Sequence, residues 1–340
     1  RLDIRAIRVA GEEVPVGMRD LMATPFCTLK GLCRADRTDL PRLLVVAPIS
    51  GHYPIVLRDM LIGLLESHEI LLTDWHNVRH VPVEHGPFGM VENIDTVLAF
   101  LRRAGGPVGL VGTCQGAVPA FAAACHLAAR GEAATPPALV LMGAPIDPMA
   151  APTRLVRELR RRPMHWFEHV PLLRLGASDG GRGRWVYPAR LHLGALTAYL
   201  WRKLAEGGEL RRKFMSDDGA DPARFPFLDL YSSVMDLDAD FFVENVRLVY
   251  QSRVLAAGGL EVEGAPLCPE ALNRTALMTV EGAEDDIAAP GQTAAAHRLC
   301  PGVPEAMRAR AVIPDSAHFG LFHGETCRRE VLPRLAEFLG

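Results

Sequence analysis

The sequence lacks the cysteine pairs that mark disulfide frameworks and zinc sites. Its seven cysteines lie at positions 27, 33, 114, 125, 268, 300 and 327, with no C-x-x-C pair and no zinc-type spacing. An odd, scattered set of this kind favours reduced thiols in a cytoplasmic protein. No metal site is predicted from these positions, and no cofactor is expected.

An excess of one charge sign is also missing. The 37 basic and 40 acidic residues give a formal net charge of -3, which argues against nucleic acid or an anionic membrane surface as a partner. No apolar run reaches the length of a membrane span, and the first segment, RLDIRAIRVAGEEV, lacks the apolar core of a signal peptide. The chain starts with Arg1, which predicts a trimmed or processed form. A cytoplasmic location without a membrane span is expected.

The sequence of 340 residues contains no internal repeat, and 49% of its residues are hydrophobic. This length and composition are enough for one large domain with an inserted lobe. Apolar runs typical of buried parallel strands recur, with helical patterns such as ENIDTVLAFLRRAG between them. This alternation predicts a doubly wound, mostly parallel α/β sheet. The runs are RLLVVAP (42–48), EILLTDW (69–75), VGLVG (108–112), ALVLMGAP (138–145), ALMTVEGAEDD (276–286) and RARAVIP (308–314).

The alternation of strand-like and helical patterns is absent between residues 149 and 250. Few strand-like runs occur there, while aromatic residues and loops such as GASDGGRGRW are frequent. We interpret residues 149–250 as a mainly helical lid inserted into the sheet, and call them the lid segment. The core is then predicted to consist of residues 1–148 and 251–340.

The stretch VGTCQGAVPA (111–120) has the layout of a nucleophile elbow, with Cys114 in place of the serine in G-x-S-x-G. A nucleophile at a sharp strand-to-helix turn needs small residues two positions away on either side, and Gly112 and Gly116 meet that need. The helix amino terminus directs unpaired amides at the sulfur, which favours thiolate. Cys125 is interpreted as buried packing.

A cysteine nucleophile needs a histidine base and a carboxylate that orients the histidine. In the chain of an α/β hydrolase the nucleophile comes first, the acid second and the histidine last. The spacing from Gly282 in GAEDDI selects Asp285, with Asp286 as second choice and helix capping as the other role. His318 follows the last strand in DSAHFGLFHG. The competitor His323 is placed in the next helix and interpreted as structural.

Other histidine pairs have metal-like spacing without a carboxylate motif beside them. His76 and His80, and likewise His165 and His169, are four residues apart. We interpret both pairs as exposed or packed side chains.

Several segments together resemble the intracellular polyhydroxybutyrate depolymerases. These are VVAPISGHYPIVLRDML, TDWHNVRHVPVEHGPFG, VGTCQGAVPA, LMGAPIDP, YPARLHLGAL, SSVMDLDADFFVENV, ALMTVEGAEDDIAAPGQTAAAHRLC and DSAHFGLFHGETCRREVLPRLAEFL, so the resemblance covers the chain from about residue 15. It implies an α/β-hydrolase fold with Cys114, Asp285 and His318 as the catalytic residues. Relatives often have VCQP where this chain has Gln115-Gly116, which leaves the acyl preference open.

The resemblance also implies a substrate, polyhydroxybutyrate at the surface of storage-polymer granules, cleaved to 3-hydroxybutyrate monomers or oligomers through an acyl-cysteine. The oxyanion is expected to meet the N–H of Gln115 and a second N–H near Ile49 or Ser50. His52, Asp74 and Trp75 are weaker candidates for lining the cleft, and we expect them to support the site and not to take part in the chemistry. A turn at the strand end explains the stretch around His52 equally well. Five aromatic residues of the lid segment are expected either to form an apolar channel or to pack inside the lid: Trp166, Trp185, Tyr187, Tyr199 and Trp201.

Two other functions fit the same residues. A polyhydroxyalkanoate synthase transfers the acyl group from a related cysteine to a growing chain, and an inactive granule-binding protein would keep only the fold. TDWHNVRHVP and VEGAEDDI resemble the depolymerase more closely than the synthase. The acyl acceptor stays open between water and coenzyme A, because an acyl-cysteine is itself a thioester.

Overall fold

The computed structural model describes residues 2–49, 53–206 and 233–340. In this part of the chain a nine-stranded sheet forms the centre, in the order β1-β2-β3-β5-β4-β6-β7-β13-β14. The strands are β1 Ala6–Val9, β2 Glu12–Ala23, β3 Cys27–Arg34, β4 Arg42–Val46, β5 Glu69–Trp75, β6 Val108–Thr113, β7 Ala138–Met142, β13 Ala276–Gly282 and β14 Arg308–Ile313.

The strands from β5 to β14 in this order pair in parallel, whereas β1, β2 and β3 are antiparallel additions next to β5. The parallel strands are nearly continuous runs of buried apolar residues, as expected for strands covered on both faces. The doubly wound sheet predicted from the sequence is confirmed. The sequence analysis predicts no strand before residue 42, so β1 to β3 were not predicted.

Helices fill the crossovers between the parallel strands. The connection from β4 to β5 runs toward the β1 edge of the sheet, and the connections from β5 to β6 and from β6 to β7 run toward the β14 edge. Since such crossovers are right-handed, α1 lies on one face of the sheet, and α2 and α3 lie on the opposite face. The helices are α1 Arg58–Leu64, α2 Met90–Ala104, α3 Ala117–Ala129, α4 Arg154–Arg161, α5 Met164–His169, α6 Ala189–Glu206, α7 Ala239–Glu244, α8 Val254–Ala257, α9 Ala295–Leu299, α10 Gly324–Thr326 and α11 Leu332–Leu339.

The described part of the lid segment contains α4 to α7 and a small antiparallel sheet of β8 Leu173–Arg174, β9 Trp185–Tyr187 and β10 Leu237–Asp238. After α7 the chain continues as a π-helix, Asn245–Gln251. A second π-helix, Cys327–Val331, leads into α11. Two further short strands, β11 Glu261–Val262 and β12 Ala265–Pro266, form a hairpin.

Arg184 joins the lid segment to the core. Its guanidinium donates to the carbonyl oxygens of Val81, Pro82 and Gly86 and to the carboxylate of Asp238, the last at 2.6 Å. Both charged side chains are almost fully buried, and their hydrogen bonds offset part of the cost of burying the two charges. No helix in the described part of the chain is long and apolar enough to cross a membrane.

Candidate active site

Cys114 lies at the end of β6, where the chain turns sharply into α3 through a 3-10 turn, Cys114–Gly116. Its φ is +49°, in the left-handed region that non-glycine residues rarely adopt. A Cβ on Gly112 would lie 2.5 Å from the Cα of Ala117, and one on Gly116 would lie 2.6 Å from the carbonyl oxygen of Ala47. Both glycines are therefore required by the close approach of α3 to β6 and β4.

The end of β4 beside Cys114 is held by side chains from its neighbours. Thr113 Oγ1 donates to the carbonyl oxygen of Val46 at 2.9 Å, and Thr73 Oγ1 accepts from the N–H of Ala47 at 2.9 Å. The indole N–H of Trp75 donates to the carbonyl oxygen of Ala47 at 2.9 Å. These bonds fix the backbone immediately before Ile49.

Trp75 and Asp74, the two candidates at the end of β5, do not line the cavity at Cys114. Trp75 is buried against Phe88 in the core. Asp74 lies on the opposite side of β5, 3.7 Å from the ammonium of Lys30, and burial raises the pKa of its carboxyl group. The position of Trp75 gives it a supporting role under the β4 loop.

His318 lies between Cys114 and Asp285. Its Nε2 is 3.1 Å from Cys114 Sγ, and its Nδ1 is 2.7 Å from Asp285 Oδ2. The structure thus brings together three residues that the sequence places in three separate loops, after β6, β13 and β14. The sulfur contacts the imidazole, and the imidazole contacts the carboxylate. This is the arrangement in which a histidine base activates a nucleophile.

Asp285 and Asp286 have different partners. The second oxygen of Asp285, Oδ1, accepts from the N–H groups of Ile287 and Ala288, both at 2.9 Å. Asp286 instead accepts from Tyr199 Oη at 2.9 Å and pairs with Arg202 at 3.1 Å. Only Asp285 is placed to orient the imidazole, and the two backbone amides hold it in that orientation.

Opposing effects act on the proton of His318. Burial alone lowers the pKa of its imidazole, but the charges of Asp285 and Cys114 and their hydrogen bonds outweigh burial and raise it well above 6.5. These contacts therefore favour the protonated form of the ring, whose Nε2 faces Cys114 Sγ.

A cavity of about 790 Å³ opens above Cys114, between the carboxyl edge of the parallel strands and the lid segment. Its walls are mostly apolar, and charged side chains line one part of it. The apolar lining comes from Ile49, Val56, Leu155, Leu159, Trp166, Phe167, Leu191, Leu237, Phe241, Phe242, Val246, Ile287, Phe319 and Phe322, and the charged lining from Arg154, Glu158, Arg162, Arg202 and Asp286.

The aromatic residues predicted for a lid channel separate into two groups. Trp166, Tyr187 and Tyr199 line the cavity. Trp185 and Trp201 do not, and their exposed fractions are 53% and 68%.

Two of the predicted oxyanion-hole residues, Gln115 and Ile49, line the cavity beside Cys114. The N–H of Gln115 belongs to the first turn of the helix, where amides have no acceptor within the helix. Ser50 and His52, the other two candidates in this loop, lie outside the described residues.

The remaining histidines are engaged elsewhere. His323 is buried but precedes α10 and does not lie within it, which corrects the expectation. His76 contacts Thr28 Oγ1 at 2.8 Å, and His169 Nδ1 contacts the carbonyl oxygen of His165 at 2.7 Å. Neither predicted pair forms a cluster of metal-ligand atoms in the part of the chain described.

One group with metal-ligand spacing does occur in the described ranges, and none of its residues lines the cavity at Cys114. Ligand atoms of His126, Glu132 and Glu263 lie within 4.8 Å of one another. Arg102 donates to both carboxylates at 2.6 to 2.9 Å, and its hydrogen bond is the largest cause that lowers the pKa of Glu263 to about 2. Both carboxylates are thus already engaged with a guanidinium.

Two polar residues of the cavity have no counterpart among the sequence predictions. Asn245 and Tyr250 belong to the π-helix after α7, and both line the cavity. The sequence around them, VENVRLVYQ, contains no glycine, proline or charge pattern that would have indicated a functional segment.

More than half of the chain matches a known protein family. The family model described as PHB de-polymerase C-terminus matches residues 143–340, a range that includes Asp285 and His318 but begins after Cys114. No curated protein matches the chain.

Solved structures similar to the chain have the α/β-hydrolase fold. A thermophilic esterase from Thermogutta terrifontis in a malate-bound form has 16% identity and a TM-score of 0.51, with 99% of this chain and 96% of that chain covered. An alpha/beta hydrolase fold protein from Nakamurella multipartita has 14% identity and a TM-score of 0.52, with 98% of both chains covered. A bromoperoxidase from Bacillus anthracis has 12% identity and a TM-score of 0.51, again over 98% of both chains. At such identities these structures establish the fold.

Proposed function

Because the chain belongs to the PHB de-polymerase C-terminus family, we propose that it hydrolyses the ester bonds of polyhydroxybutyrate through an acyl-cysteine at Cys114. The observation that carries the proposal is the contact of 3.1 Å between Cys114 Sγ and His318 Nε2 at the floor of an apolar cavity. The substrate is the polymer at the surface of storage granules in the cytoplasm. The products are 3-hydroxybutyrate and its short oligomers.

In the first half-reaction, Cys114 attacks the ester carbonyl carbon. The charges of Asp285 and Cys114 raise the pKa of the His318 imidazole, which favours a protonated ring that can donate its proton later in this half-reaction. The mechanism takes the thiolate of Cys114 as the attacking form. The new carbon–sulfur bond forms as the carbonyl π electrons move to oxygen, and the carbon–oxygen bond then breaks. His318 donates its proton to the leaving alkoxide, which departs as the hydroxyl end of the shortened chain.

The negative charge on the carbonyl oxygen needs fixed hydrogen-bond donors. The backbone N–H of Gln115 supplies one donor, and the N–H of Ile49 supplies the second. The hydrogen bonds of Thr113, Thr73 and Trp75 to β4 hold this loop in place before substrate arrives. Preorganised donors of this kind typically contribute about 10²- to 10³-fold in rate each.

In the second half-reaction, the neutral imidazole takes a proton from water, and the hydroxide attacks the thioester carbon. The carbon–sulfur bond breaks, which releases the 3-hydroxy acid and restores the thiolate and the imidazolium. Asp285 orients the imidazole in both half-reactions, because its Oδ1 accepts two backbone hydrogen bonds and its Oδ2 faces Nδ1 of the ring.

The direct test is polymer cleavage by wild type, Cys114→Ala and Cys33→Ala. Cys33 is a matched control, since both cysteines are free and half-buried. With amorphous polyhydroxybutyrate granules, release of soluble 3-hydroxybutyrate is expected from wild type and Cys33→Ala. Cys114→Ala is expected to fold normally, by circular dichroism, and to lose roughly 10⁴-fold or more of the rate. Retained cleavage by Cys114→Ala would contradict the acyl-cysteine mechanism.

A second measurement identifies the acyl acceptor. Wild type quenched in acid during turnover is expected to carry hydroxybutyryl units on the peptide that contains Cys114, as seen by mass spectrometry. Products are then compared with and without coenzyme A. Free acid in both cases supports hydrolysis, a new thioester identifies coenzyme A as acceptor, and polymer growth from a hydroxyacyl-coenzyme A would replace the proposal with a synthase.

A further inference from the structure

The cavity contains buried polar groups without partners, directly beside the nucleophile. Gln115 is only 3% exposed, yet neither its Oε1 nor its Nε2 has a hydrogen-bond partner among the described residues. Leaving a buried polar group unpaired costs about 1–3 kcal/mol. An amide kept in this position between Cys114 and Gly116 is therefore suited to a ligand that brings the missing partners.

The π-helix Asn245–Gln251 adds two more polar groups to the same cavity. Its wider turn aligns residues five apart, so Asn245 and Tyr250 both line the cavity, whereas Val249 is buried in the core. Regular α-helical spacing would have aligned Asn245 with Val249 instead. Asn245 Oδ1 is buried and, like the Gln115 amide, has no partner in the described part of the chain.

The phenol of Tyr250 is suited to donate a hydrogen bond close to the nucleophile. Burial raises the pKa of the phenol, and the nearby negative charges of Cys114 and Asp285 raise it further, so the hydroxyl keeps its proton. Within residues 2–49, 53–206 and 233–340, no side chain or backbone group bonds to this hydroxyl.

We propose that Gln115, Asn245 and Tyr250 form a polar subsite for the oxygen on C3 of the acyl group and for the next carbonyl of the polyester chain. This inference rests on the proposed ester hydrolysis at Cys114. A 3-hydroxyacyl group has an oxygen on C3, which is a hydroxyl at the end of the chain and an ester oxygen inside it, and the next unit of the chain adds a carbonyl acceptor. A plain alkanoyl group has neither and leaves all three side chains unpaired. Sites built to bind a substrate hydroxyl discriminate strongly against analogues that lack it.

The test compares two esters with the same leaving group, phenyl (R)-3-hydroxybutyrate and phenyl butyrate. The readout is the ratio of their kcat/KM values, because the concentration of active enzyme cancels in the ratio. Wild type is expected to prefer the hydroxylated ester by about 100-fold or more. Partial unfolding of a variant does not change the ratio, so a weakly folding variant still reports on the subsite.

Three variants remove the polar groups, and a fourth serves as a matched control. Gln115→Met, Asn245→Leu and Tyr250→Phe are each expected to lower the ratio by about 3- to 10-fold, the usual effect of one hydrogen bond. Tyr199→Phe also removes a hydroxyl from the cavity wall, but that hydroxyl already donates to Asp286 at 2.9 Å. We expect Tyr199→Phe to keep the ratio of wild type.

The outcomes separate the subsite from the proposed function. If wild type hydrolyses both esters equally well, or if all three variants keep the wild-type ratio, the polar subsite is wrong while ester hydrolysis stands. If wild type hydrolyses neither phenyl ester nor polymer, the proposed function fails and the subsite with it. A lowered ratio in Tyr199→Phe equal to that in Tyr250→Phe would also overturn the assignment.

Discussion

Asp285 and Asp286 show how two adjacent residues with the same side chain acquire different roles. Asp285 is buried against His318 with both oxygens bonded, and Asp286 pairs with Arg202 and Tyr199 of α6. The spacing from Gly282 selects Asp285 from sequence, but it leaves Asp286 as an alternative. Successive residues in a turn project in different directions, and only the packed structure shows which one faces the ring.

Removing the charge of Asp285 should shift the pH dependence of activity. In Asp285→Asn the pKa of His318 falls, since the carboxylate is the largest of the effects that raise it. The imidazolium needed as proton donor is then lost at lower pH, so the alkaline limb of kcat/KM on a soluble ester moves to lower pH. We also expect kcat to fall by about 10³- to 10⁴-fold, because an amide favours the wrong imidazole tautomer.

Asp286→Asn is the control for that experiment. It makes the same chemical change one residue away, at a carboxylate that bonds to Tyr199 and not to His318. Its alkaline limb should coincide with that of wild type. A shift of the limb in Asp286→Asn, or none in Asp285→Asn, would contradict the assignment of Asp285 as the orienting residue.

For Trp75, the position in the sequence predicts which edge of the sheet the residue lies at, but not which face its side chain projects from. Its place at the end of a strand predicts nearness to the carboxyl edge of the sheet, where sites lie in open α/β folds. The face on which it projects depends on packing against Phe88 and on the carbonyl oxygen of Ala47. These partners are 13 and 28 positions away, so no local pattern indicates them.

At the scale of elements, burial on both faces made the parallel strands predictable. β4, β5, β6, β7, β13 and β14 coincide with the apolar runs in the sequence to within a few residues at their ends. In contrast, most residues of β2 are exposed, and its sequence, EEVPVGMRDLMA, shows no clean alternation. The π-helix was not predictable either, because no glycine or proline marks its wider turn.

The strand-to-helix elbow provides a test at the same scale. In Gly116→Ala the new methyl group would meet the carbonyl oxygens of Val46 and Ala47 at 2.6 Å, so α3 must move away from β4. We expect the free energy of unfolding to fall by about 1–3 kcal/mol, as for other overpacked sites. Ester hydrolysis should fall as well, because the N–H of Gln115 moves with the helix. Urea unfolding and kcat/KM measure the two effects.

Gly194→Ala is the matched substitution in α6. A Cβ there meets nothing within 4 Å, and its φ is not in the left-handed region. Alanine should therefore stabilise the helix slightly, by about 0.5–1 kcal/mol. If Gly116→Ala were as stable as Gly194→Ala, the close approach of α3 to β4 would not be the reason for a glycine at position 116.

At the scale of the whole molecule, the candidate site exists only in the folded chain. Cys114 and His318 are 204 positions apart and meet because β6 and β14 end at the same edge of the sheet. The order of nucleophile, acid and histidine was predictable from the sequence because each follows an apolar strand. The cavity was not predictable, since its walls combine α4 to α7 of the lid segment with five loops of the core, those after β4, β6, β7, β13 and β14. The division at residues 149 and 250 stays a prediction.

The stability of the whole molecule toward acid should depend on His297. This ring contacts Thr279 Oγ1 at 3.1 Å, and burial, together with the charges of Arg310 and Arg308, lowers its pKa to about 4. In the unfolded chain the pKa is about 6.5. Between these values the unfolded chain binds a proton that the folded chain does not. The free energy of unfolding therefore falls as pH decreases through this interval, by roughly 2–3 kcal/mol.

His318 does not mask this effect, because the two histidines act in different pH ranges. The raised pKa of His318 gives a contribution that is fully present below about pH 6.5 and is lost only as pH rises toward its folded value. His297→Gln removes the titrating ring and keeps an acceptor for Thr279. Urea unfolding of this variant should lose less stability than wild type between about pH 7 and pH 4.5. Parallel pH profiles for the two proteins would mean that His297 titrates normally in the fold, and that acid instability has another source.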